Sequence, residues 1–185
     1  MPKPKPNNIR VVNIVVSTSF EKAIPLEKMA ATLSNTEYNP EQFPGLVIRI
    51  KEPKTSALIF SSGKIVCTGA RTLADVDESI KQIIKSLEKI NVKITIKPEI
   101  TIQNIVASGE IGVMLNLNEL AMKLDNTEYE PEQFPGLVYK LRDCQATFLL
   151  FSNGKIVCTG TKSEDAIGIA VEGLITNLEK VMGKK

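Results

Sequence analysis

The residues that most often carry catalysis are either absent from this sequence or wrongly spaced for it. The 185 residues include no histidine, which excludes a Ser-His-Asp triad, a Cys-His dyad and a histidine-ligated metal site. The three cysteines, Cys67, Cys144 and Cys158, form no C-x-x-C pair, so a structural zinc site is not expected. The segment Ser62-Gly63-Lys64 lacks the upstream glycine of a phosphate-binding loop, and isoleucine follows its lysine. We therefore predict a protein that is not an enzyme and that needs no cofactor or metal.

Long segments of the sequence occur twice in nearly the same form. Residues 35–52 read NTEYNPEQFPGLVIRIKE and residues 126–143 read NTEYEPEQFPGLVYKLRD, an offset of 126 − 35 = 91. Residues 60–69 (FSSGKIVCTG) and residues 151–160 (FSNGKIVCTG) repeat at the same offset. Solenoid repeats are shorter, roughly 20–50 residues. The repetition therefore predicts two similar halves related by a pseudo-two-fold axis.

The expected domain organisation follows from this repeat. We predict a flexible N-terminal arm over residues 1–8, a first repeat over residues 9–94 and a second repeat over residues 95–185. A composition of 43% hydrophobic and 24% charged residues is typical of a folded chain. No apolar run approaches the roughly 18 residues of a membrane span, and the arm lacks the apolar core of a signal peptide. Together with the few cysteines, this predicts a cytoplasmic protein without a membrane partner.

Each repeat has the sequence pattern of a small α+β unit. β-branched residues predict a strand over residues 9–17, and helix-forming residues with a proline in the first turn predict a short helix over residues 25–33. A Ser-Gly or Asn-Gly turn between two alternating runs indicates a hairpin. The remaining predicted elements are an extended piece at 36–40, strands at 45–51, 55–61 and 64–69, and an amphipathic helix at 72–90. The order β-α-β-β-β-β-α predicts an antiparallel sheet with its helices on one face.

One face of that predicted sheet has no helix to cover it. Alternate strand residues point to opposite faces, and the wholly apolar set should pack under the helices. Cys67, Cys158 and Phe148 belong to this buried set, whereas Phe20 falls in a loop and receives no role. The other face is still largely apolar, which normally marks an interaction site. It contains Asn13, Val15, Leu58, Phe60, Val66 and Thr68 in the first repeat, and Asn104, Val106, Leu149, Phe151, Val157 and Thr159 in the second.

The residues leave the occupant of this uncovered face open. Cations border it, namely Arg49, Lys51, Lys64, Lys140, Arg142 and Lys155. Cations that meet phosphates, amides that meet minor-groove acceptors and phenylalanines that enter base steps would suit a nucleic-acid groove. The face could equally pack against a second sheet, a dimer partner or another protein. A net charge of only +2 does not by itself favour nucleic acid.

The repeated motifs resemble those of the TATA-binding protein family in its archaeal form. The motifs are EYNPEQFPGLVIRI and EYEPEQFPGLVYKL, ALIFSSGKIVCTGA and FLLFSNGKIVCTGT, and VNIVVS with IQNIVAS. The resemblance implies an α+β saddle, in which one continuous, curved, antiparallel ten-stranded sheet carries four helices on its convex face. It also implies a general transcription factor that binds the TATA box of promoters in the DNA minor groove and kinks the DNA by phenylalanine insertion. This factor would nucleate the pre-initiation complex with transcription factor B and, indirectly, RNA polymerase, near the nucleoid.

The same resemblance implies roles for individual residues. The intercalating residues would be Phe43, Phe60, Phe134 and Phe151. The base contacts would be Asn13, Val15, Leu58, Val66, Thr68, Asn104, Val106, Leu149, Val157 and Thr159. The phosphate contacts would be Arg49, Lys51, Lys64, Lys140, Arg142 and Lys155, and the contact with transcription factor B would be Glu128, Glu130, Glu132 and Gln133. The chain ends Met182-Gly183-Lys184-Lys185 instead of in the acidic tail of many archaeal relatives. Whether the DNA-free protein forms a homodimer through the uncovered face stays open.

Overall fold

A computed structural model of the chain describes residues 2–183, and both repeats have the predicted order of elements. The first comprises β1 (Asn7–Ser19), α1 (Leu26–Thr32), β2 (Thr36–Tyr38), β3 (Leu46–Ile50), β4 (Thr55–Ile59), β5 (Lys64–Ala70) and α2 (Leu73–Glu88). The second comprises β6 (Thr101–Glu110), α3 (Leu117–Lys123), β7 (Thr127–Glu128), β8 (Leu137–Leu141), β9 (Ala146–Leu150), β10 (Lys155–Thr161) and α4 (Glu164–Met182), with a 3-10 turn at Arg142–Cys144. The predicted α+β class, with ten strands and four helices, is confirmed. Met1 and the two C-terminal lysines, on which the basic chain end depends, lie outside the described residues.

The described residues form two compact units. The first unit is residues 13–103, and the second unit is the described chain on either side of it. Hydrogen-bonded neighbours follow the order β2-β3-β4-β5-β1 in the first unit and β6-β10-β9-β8-β7 in the second, with antiparallel pairing along both series. In the ten-stranded order β1 and β6 are neighbours. Long β1 changes unit at residue 13, so its first half pairs within the second unit and its second half within the first.

The core of the first unit lies between its strands and α2. Thr72 caps this helix, because its side-chain oxygen accepts a hydrogen bond from the Asp75 amide at 3.0 Å. The predicted apolar stripe is buried at Val76, Ile80, Ile83 and Leu87, whereas Ile84 is only half-buried. Buried hydroxyls are also satisfied, since the Ser79 and Thr55 oxygens are 2.7 Å apart and Ser79 donates to the Asp75 carbonyl.

The second unit has an equivalent core under α4. Ser163 accepts a hydrogen bond from the Ala166 amide at 3.0 Å and so begins the helix. The helix buries Ile167, Ala170, Val171, Leu174 and Leu178, and its Asn177 amide donates to the hydroxyl of Tyr139 on β8 at 2.8 Å.

The residues predicted to lie in the core on alternation are buried. Phe148, Cys67 and Cys158 are each no more than 2% exposed. Burial, assisted by the nearby Cys144, raises the pKa of the Cys158 thiol to about 11, and burial also raises the pKa of Cys67. Both thiols therefore stay protonated at neutral pH, as expected of small core residues. Phe20, which received no role, is also one of the largest fully buried side chains.

Several element boundaries differ from those expected. Strand β1 begins at Asn7 and ends at Ser19, two residues beyond each end of the predicted strand. The chain is already hydrogen-bonded before β1 begins, since the Lys5 amide donates to the Ile111 carbonyl at 2.9 Å. Pro25 precedes α1 as its capping residue and is not part of its first turn. None of the helices within residues 2–183 combines the length and apolarity that a membrane crossing requires.

Candidate nucleic-acid interface

Each unit has an open face, defined as the strand surface opposite its helices. In the first unit, strand pairing places Val47, Leu58, Val66 and Ser17 opposite one another in one row across β3, β4, β5 and β1. These side chains are half-buried, whereas the residues directly before and after each of them in its own strand are buried. The row therefore presents apolar surface without a covering layer, as the alternation predicted.

The second unit repeats this row with the same side chains. Val138, Leu149, Val157 and Ser108 lie opposite one another across β8, β9, β10 and β6. The predicted residues Val15 and Val106 lie two positions along β1 and β6 from these serines, and both are half-buried.

Val47 and Val138 share the open faces but were missed from the sequence. Their position alternates with the buried Leu46 and Ile48 in β3, and with Leu137 and Tyr139 in β8. The same parity argument that found Leu58 would have found them, had it been applied to the strand that follows each F-P-G motif.

A β-bulge orients the asparagine of the first unit. Ile14 pairs with Ala70 and Val16 pairs with Cys67, so β5 has one residue more than β1 between these pairs. Gly69 has a φ of +97° in this bulge, and its amide donates to the Asn13 Oδ1 atom at 2.7 Å. The Asn13 Nδ2 atom lies 3.2 Å from the Thr68 hydroxyl, so these two predicted base contacts lie side by side on the open face.

The second unit has the same bulge and the same side-chain pair. Gly160, at a φ of +87°, donates its amide to the Asn104 Oδ1 atom at 2.8 Å. The Asn104 Nδ2 atom donates to the Thr159 hydroxyl at 2.9 Å. A backbone N–H is a donor and can pair only with the acceptor oxygen of a side-chain amide. The bonds from Gly69 and Gly160 therefore assign the Oδ1 and Nδ2 positions of the two asparagines. One N–H of that group is left to donate to a ligand on the open face.

Phenylalanines form an edge-to-face pair in each unit. The ring centroids of Phe43 and Phe60 are 5.9 Å apart at an interplanar angle of 67°, and those of Phe134 and Phe151 are 6.0 Å apart at 70°. Phe43 and Phe134 are each 43% exposed, an unusual exposure for phenylalanine. The structure thus brings together, within each unit, the two phenylalanines that the resemblance singled out.

Tight turns hold these rings in place. The amide of Phe43 donates to the Asn39 carbonyl, and the amide of Phe134 donates to the Glu130 carbonyl, both at 3.0 Å. Phe60 closes the β4–β5 hairpin, since its amide donates to the Lys64 carbonyl at 2.9 Å and its own carbonyl accepts from the Gly63 amide.

Two glycines leave the space that these ring pairs occupy. A Cβ atom on Gly45 would lie 2.7 Å from the Phe43 Cε1 atom and 3.2 Å from the Phe60 Cε1 atom. A Cβ atom on Gly136 would lie 2.7 Å from the same atom of Phe134 and 3.1 Å from that of Phe151. Sequence reasoning missed both glycines, although F-P-G occurs in both repeats.

The predicted phosphate contacts are all exposed, but their surroundings differ. Arg49 and Lys140 occupy equivalent positions, opposite Ser56 and Thr147 in the strand pairing. Arg49 forms an ion pair with Glu37 at 3.1 Å, in which the two side chains are 62% and 67% exposed. Such a pair contributes at most about 1 kcal/mol, so a phosphate can displace the carboxylate. The other predicted cations, Lys51, Lys64, Arg142 and Lys155, form no ion pair within residues 2–183.

The predicted contact with transcription factor B lies on β7 and the turn after it. Glu128, Glu130, Glu132 and Gln133 are all exposed. None of these carboxylates has a cation within 4.0 Å in the described part of the chain. The negative charge of this segment is therefore not neutralised by ion pairs within residues 2–183.

Comparisons with known proteins agree with the repeat and the fold. The family model described as "Transcription factor TFIID (or TATA-binding protein, TBP)" matches residues 8–90 and 99–181. The TATA-box-binding protein of Methanosphaera stadtmanae is 51% identical over 89% of this chain and 90% of its own length. That of Picrophilus torridus is 49% identical over 94% of this chain and 95% of its own length. The solved structure titled "Methanococcus jannaschii TBP" superposes with a TM-score of 0.86 at 45% identity and covers 97% of this chain and 99% of that one. The motifs were therefore interpreted correctly, and the chain belongs to the TATA-binding protein family, which consists of transcription factors and not of enzymes.

Proposed function

We propose that this chain binds the TATA box of promoters through the DNA minor groove, bends the DNA there, and so starts assembly of the transcription machinery. The observation that carries the proposal is the occurrence, on each open face, of an oriented Asn–Thr pair together with an exposed phenylalanine pair. Membership of a family whose relatives are named TATA-box-binding proteins supports the choice of DNA as ligand.

The Asn–Thr pairs suit the acceptor pattern of A·T base pairs. The minor groove of an A·T pair offers only the adenine N3 and thymine O2 acceptors, whereas a G·C pair adds the guanine amino donor. The free N–H of Asn13 and of Asn104 can donate to these acceptors. Val66 and Val157 would collide with a guanine amino group and leave it without a hydrogen-bond partner.

The phenylalanine pairs suit insertion between base steps. Apolar side chains that wedge into the minor groove kink DNA at a cost of a few kcal/mol per unstacked step, a mode of which the TATA-binding family is itself the standard example. Phe43 and Phe134 are partly exposed and follow turns that are held by backbone hydrogen bonds. Flexible TA steps unstack most readily, so sequence preference would come from deformability as well as from base contacts.

The bordering cations would bind phosphates on either side of the widened groove. Each neutralised phosphate contributes about 0.9 to the slope of log K against log salt concentration for duplex DNA. Arg49 would exchange its exposed partner Glu37 for a phosphate at little cost.

The unpaired carboxylates of Glu128, Glu130 and Glu132, with Gln133, would bind transcription factor B, which would then recruit RNA polymerase. Their exposure and the absence of competing cations within residues 2–183 support this assignment. Replacing all three glutamates by glutamine should abolish the complex with transcription factor B on DNA and leave binding of the TATA duplex unchanged.

The deciding experiment measures bending of an end-labelled TATA duplex by energy transfer. A duplex in which every A·T pair is replaced by I·C keeps nearly the same minor-groove pattern and changes the major groove. We expect both duplexes to be bound and bent, and a G·C duplex to be neither. Failure of the I·C duplex, or binding without bending, would contradict the minor-groove mechanism.

Matched variants assign the bending to the phenylalanines. Phe60→Ala and Phe151→Ala should reduce the bend, whereas Met122→Ala removes an 82% exposed apolar side chain from α3 and should not. If the phenylalanine variants instead change only the oligomeric state in sedimentation experiments, the open face serves a homodimer and the DNA proposal is wrong.

A further inference from the structure

An open cleft of about 640 Å³ lies beside the phenylalanine pair of the second unit. Its lining includes Phe151, Lys155 and Ser108 of the open face, together with Glu110 and Arg10. Arg10 is exposed, lies in the first half of β1 and received no role from the sequence. The cleft therefore places a cation that has no assigned role beside a predicted DNA contact.

Packing against β6 shows to which side Arg10 points. Gly109 has the same parity in β6 as the buried Ile105 and Ala107, so a Cβ atom there would point toward the helices. The nearest atom to such a Cβ is the Cδ1 atom of Ile9. Ile9 therefore points to the helix side, and Arg10, as the next residue in the strand, points to the open side.

The orientation of Arg10 departs from the strict alternation expected along β1, and the first strand of the other repeat departs from it at the equivalent place. Gln103 Nε2 donates to the open-face Ser17 hydroxyl at 2.8 Å, so Gln103 also reaches the open side of its unit. Thr101 has the same parity as Gln103 and is the repeat counterpart of Arg10, since 101 − 10 = 91. The first unit thus has an uncharged side chain where the second unit has arginine.

The two predicted lysine contacts next to the phenylalanines also differ. Lys155 lies opposite Glu110 in the pairing of β10 with β6, whereas Lys64 lies opposite Ser19 in the pairing of β5 with β1. Opposite residues in an antiparallel pair have Cβ atoms roughly 4.5–5.5 Å apart, close enough for a carboxylate to compete with a ligand for the ammonium group. The two side chains form no ion pair within residues 2–183, but the Glu110 carboxylate is placed to compete with a phosphate for Lys155. Lys64 instead faces the uncharged Ser19 in the strand pairing.

We infer that Arg10 binds a backbone phosphate of the duplex at the Phe151 end and contributes more to that contact than Lys155 does. This inference rests on the proposed function. Within residues 2–183 Arg10 has no carboxylate within 4.0 Å, and its guanidinium can hold a phosphate through two parallel hydrogen bonds. The phosphate contact would thus be made by Lys64 in one unit and mainly by Arg10 in the other.

The test is a salt titration of binding to a labelled TATA duplex by fluorescence anisotropy. Arg10→Thr introduces the residue of the other repeat. It should make the negative slope of log K against log salt concentration shallower by about 0.9, as should Lys64→Ala. Arg10→Lys keeps the charge and should retain the slope. Lys3→Ala removes a cation from the same end of the chain outside this cleft and serves as the matched control.

The comparison between Arg10→Thr and Lys155→Ala decides the inference. A larger loss of slope for Arg10→Thr supports it, while a loss no larger than that of Lys155→Ala or of the Lys3→Ala control overturns it. In a Glu110→Ser background, Lys155→Ala should reduce the steepness of the salt dependence as much as Lys64→Ala does. If the reduction stays as small as in the Glu110 protein, the role given to Glu110 is wrong. If the wild-type protein itself binds a TATA duplex no more tightly than a G·C duplex, the proposed function is wrong. Circular dichroism melts of each variant establish that the fold is intact.

Discussion

The clearance around Gly45 and Gly136 predicts that one added methyl group displaces a phenylalanine pair. In Gly45→Ala the new Cβ atom would lie 2.7 Å from the Phe43 Cε1 atom. Carbon atoms in ordinary contact are roughly 3.5–4.0 Å apart, so the ring must retreat by about 1 Å. Gly45 is buried directly before β3, whereas the Phe43 side chain is partly exposed, so the ring has fewer packed neighbours to resist its displacement than the backbone has. The methyl group should therefore act on the ring and not on the backbone.

The size of the effect follows from the contact that is lost. An edge-to-face aromatic pair contributes roughly 0.5–1.5 kcal/mol beyond its buried area. Losing the preset ring position should weaken binding of the TATA duplex by about tenfold, since 1.4 kcal/mol corresponds to a factor of ten. We expect a reduced bend in the energy-transfer assay, with Gly45→Ala and Gly136→Ala each affecting one kink.

Gly168→Ala is the matched control, because a Cβ atom at this exposed position of α4 meets no atom within 4 Å in the part of the chain that the structure describes. It should leave binding unchanged and stabilise the helix by roughly 0.5–1 kcal/mol. A double-mutant cycle with Phe43→Ala tests the mechanism, since Gly45→Ala should cost little once the ring is gone. Wild-type bending by Gly45→Ala, or a full loss that persists in the Phe43→Ala background, would refute the reasoning.

Three further predictions follow from the bulges and the buried thiols. Asn13→Asp keeps an oxygen for the Gly69 amide but replaces the N–H donors by negative charge. The affinity for the TATA duplex in anisotropy titrations should fall at least about tenfold, with an unchanged melting temperature. Unchanged affinity would show that Asn13 does not contact the DNA. Gly160→Ala places a Cβ atom 2.8 Å from the Gln145 carbonyl oxygen at a φ of +87°, and thermal melts should show destabilisation by roughly 1–3 kcal/mol, whereas a neutral result would argue against the bulge. Burial raises the pKa of Cys158 to about 11, which keeps its thiolate fraction low at roughly pH 8. An aromatic disulfide reagent should therefore modify Cys144 first, and Cys67 and Cys158 only on unfolding. Equal rates for all three thiols in the native protein would contradict the burial of Cys67 and Cys158.

Much of this molecule could be predicted before any coordinates. The 91-residue repeat, period-two alternation and the Gly-containing hairpin turns are local signals, and they determine the order of elements, the buried set that includes Phe148 and the open faces with Leu58 and Leu149. These assignments succeed because side-chain direction in a regular strand depends only on position along the chain. Alternation placed most of the DNA-contact candidates on the uncovered face, whereas their individual roles, and the choice of Phe43 and Phe134, came from the motifs.

The tertiary structure decided the features that depend on residues far apart in sequence. A bulge is a mismatch between two strands, so the oriented Asn13 amide required the pairing of β1 with β5. The absence of a side chain on Gly45 acquires meaning only when the rings of Phe43 and Phe60 converge on it. Arg10 changes side because Ile9 packs over Gly109, about a hundred residues away in the chain. Periodicity within one strand contains none of this information, because each feature is set by what the neighbouring strand places opposite it.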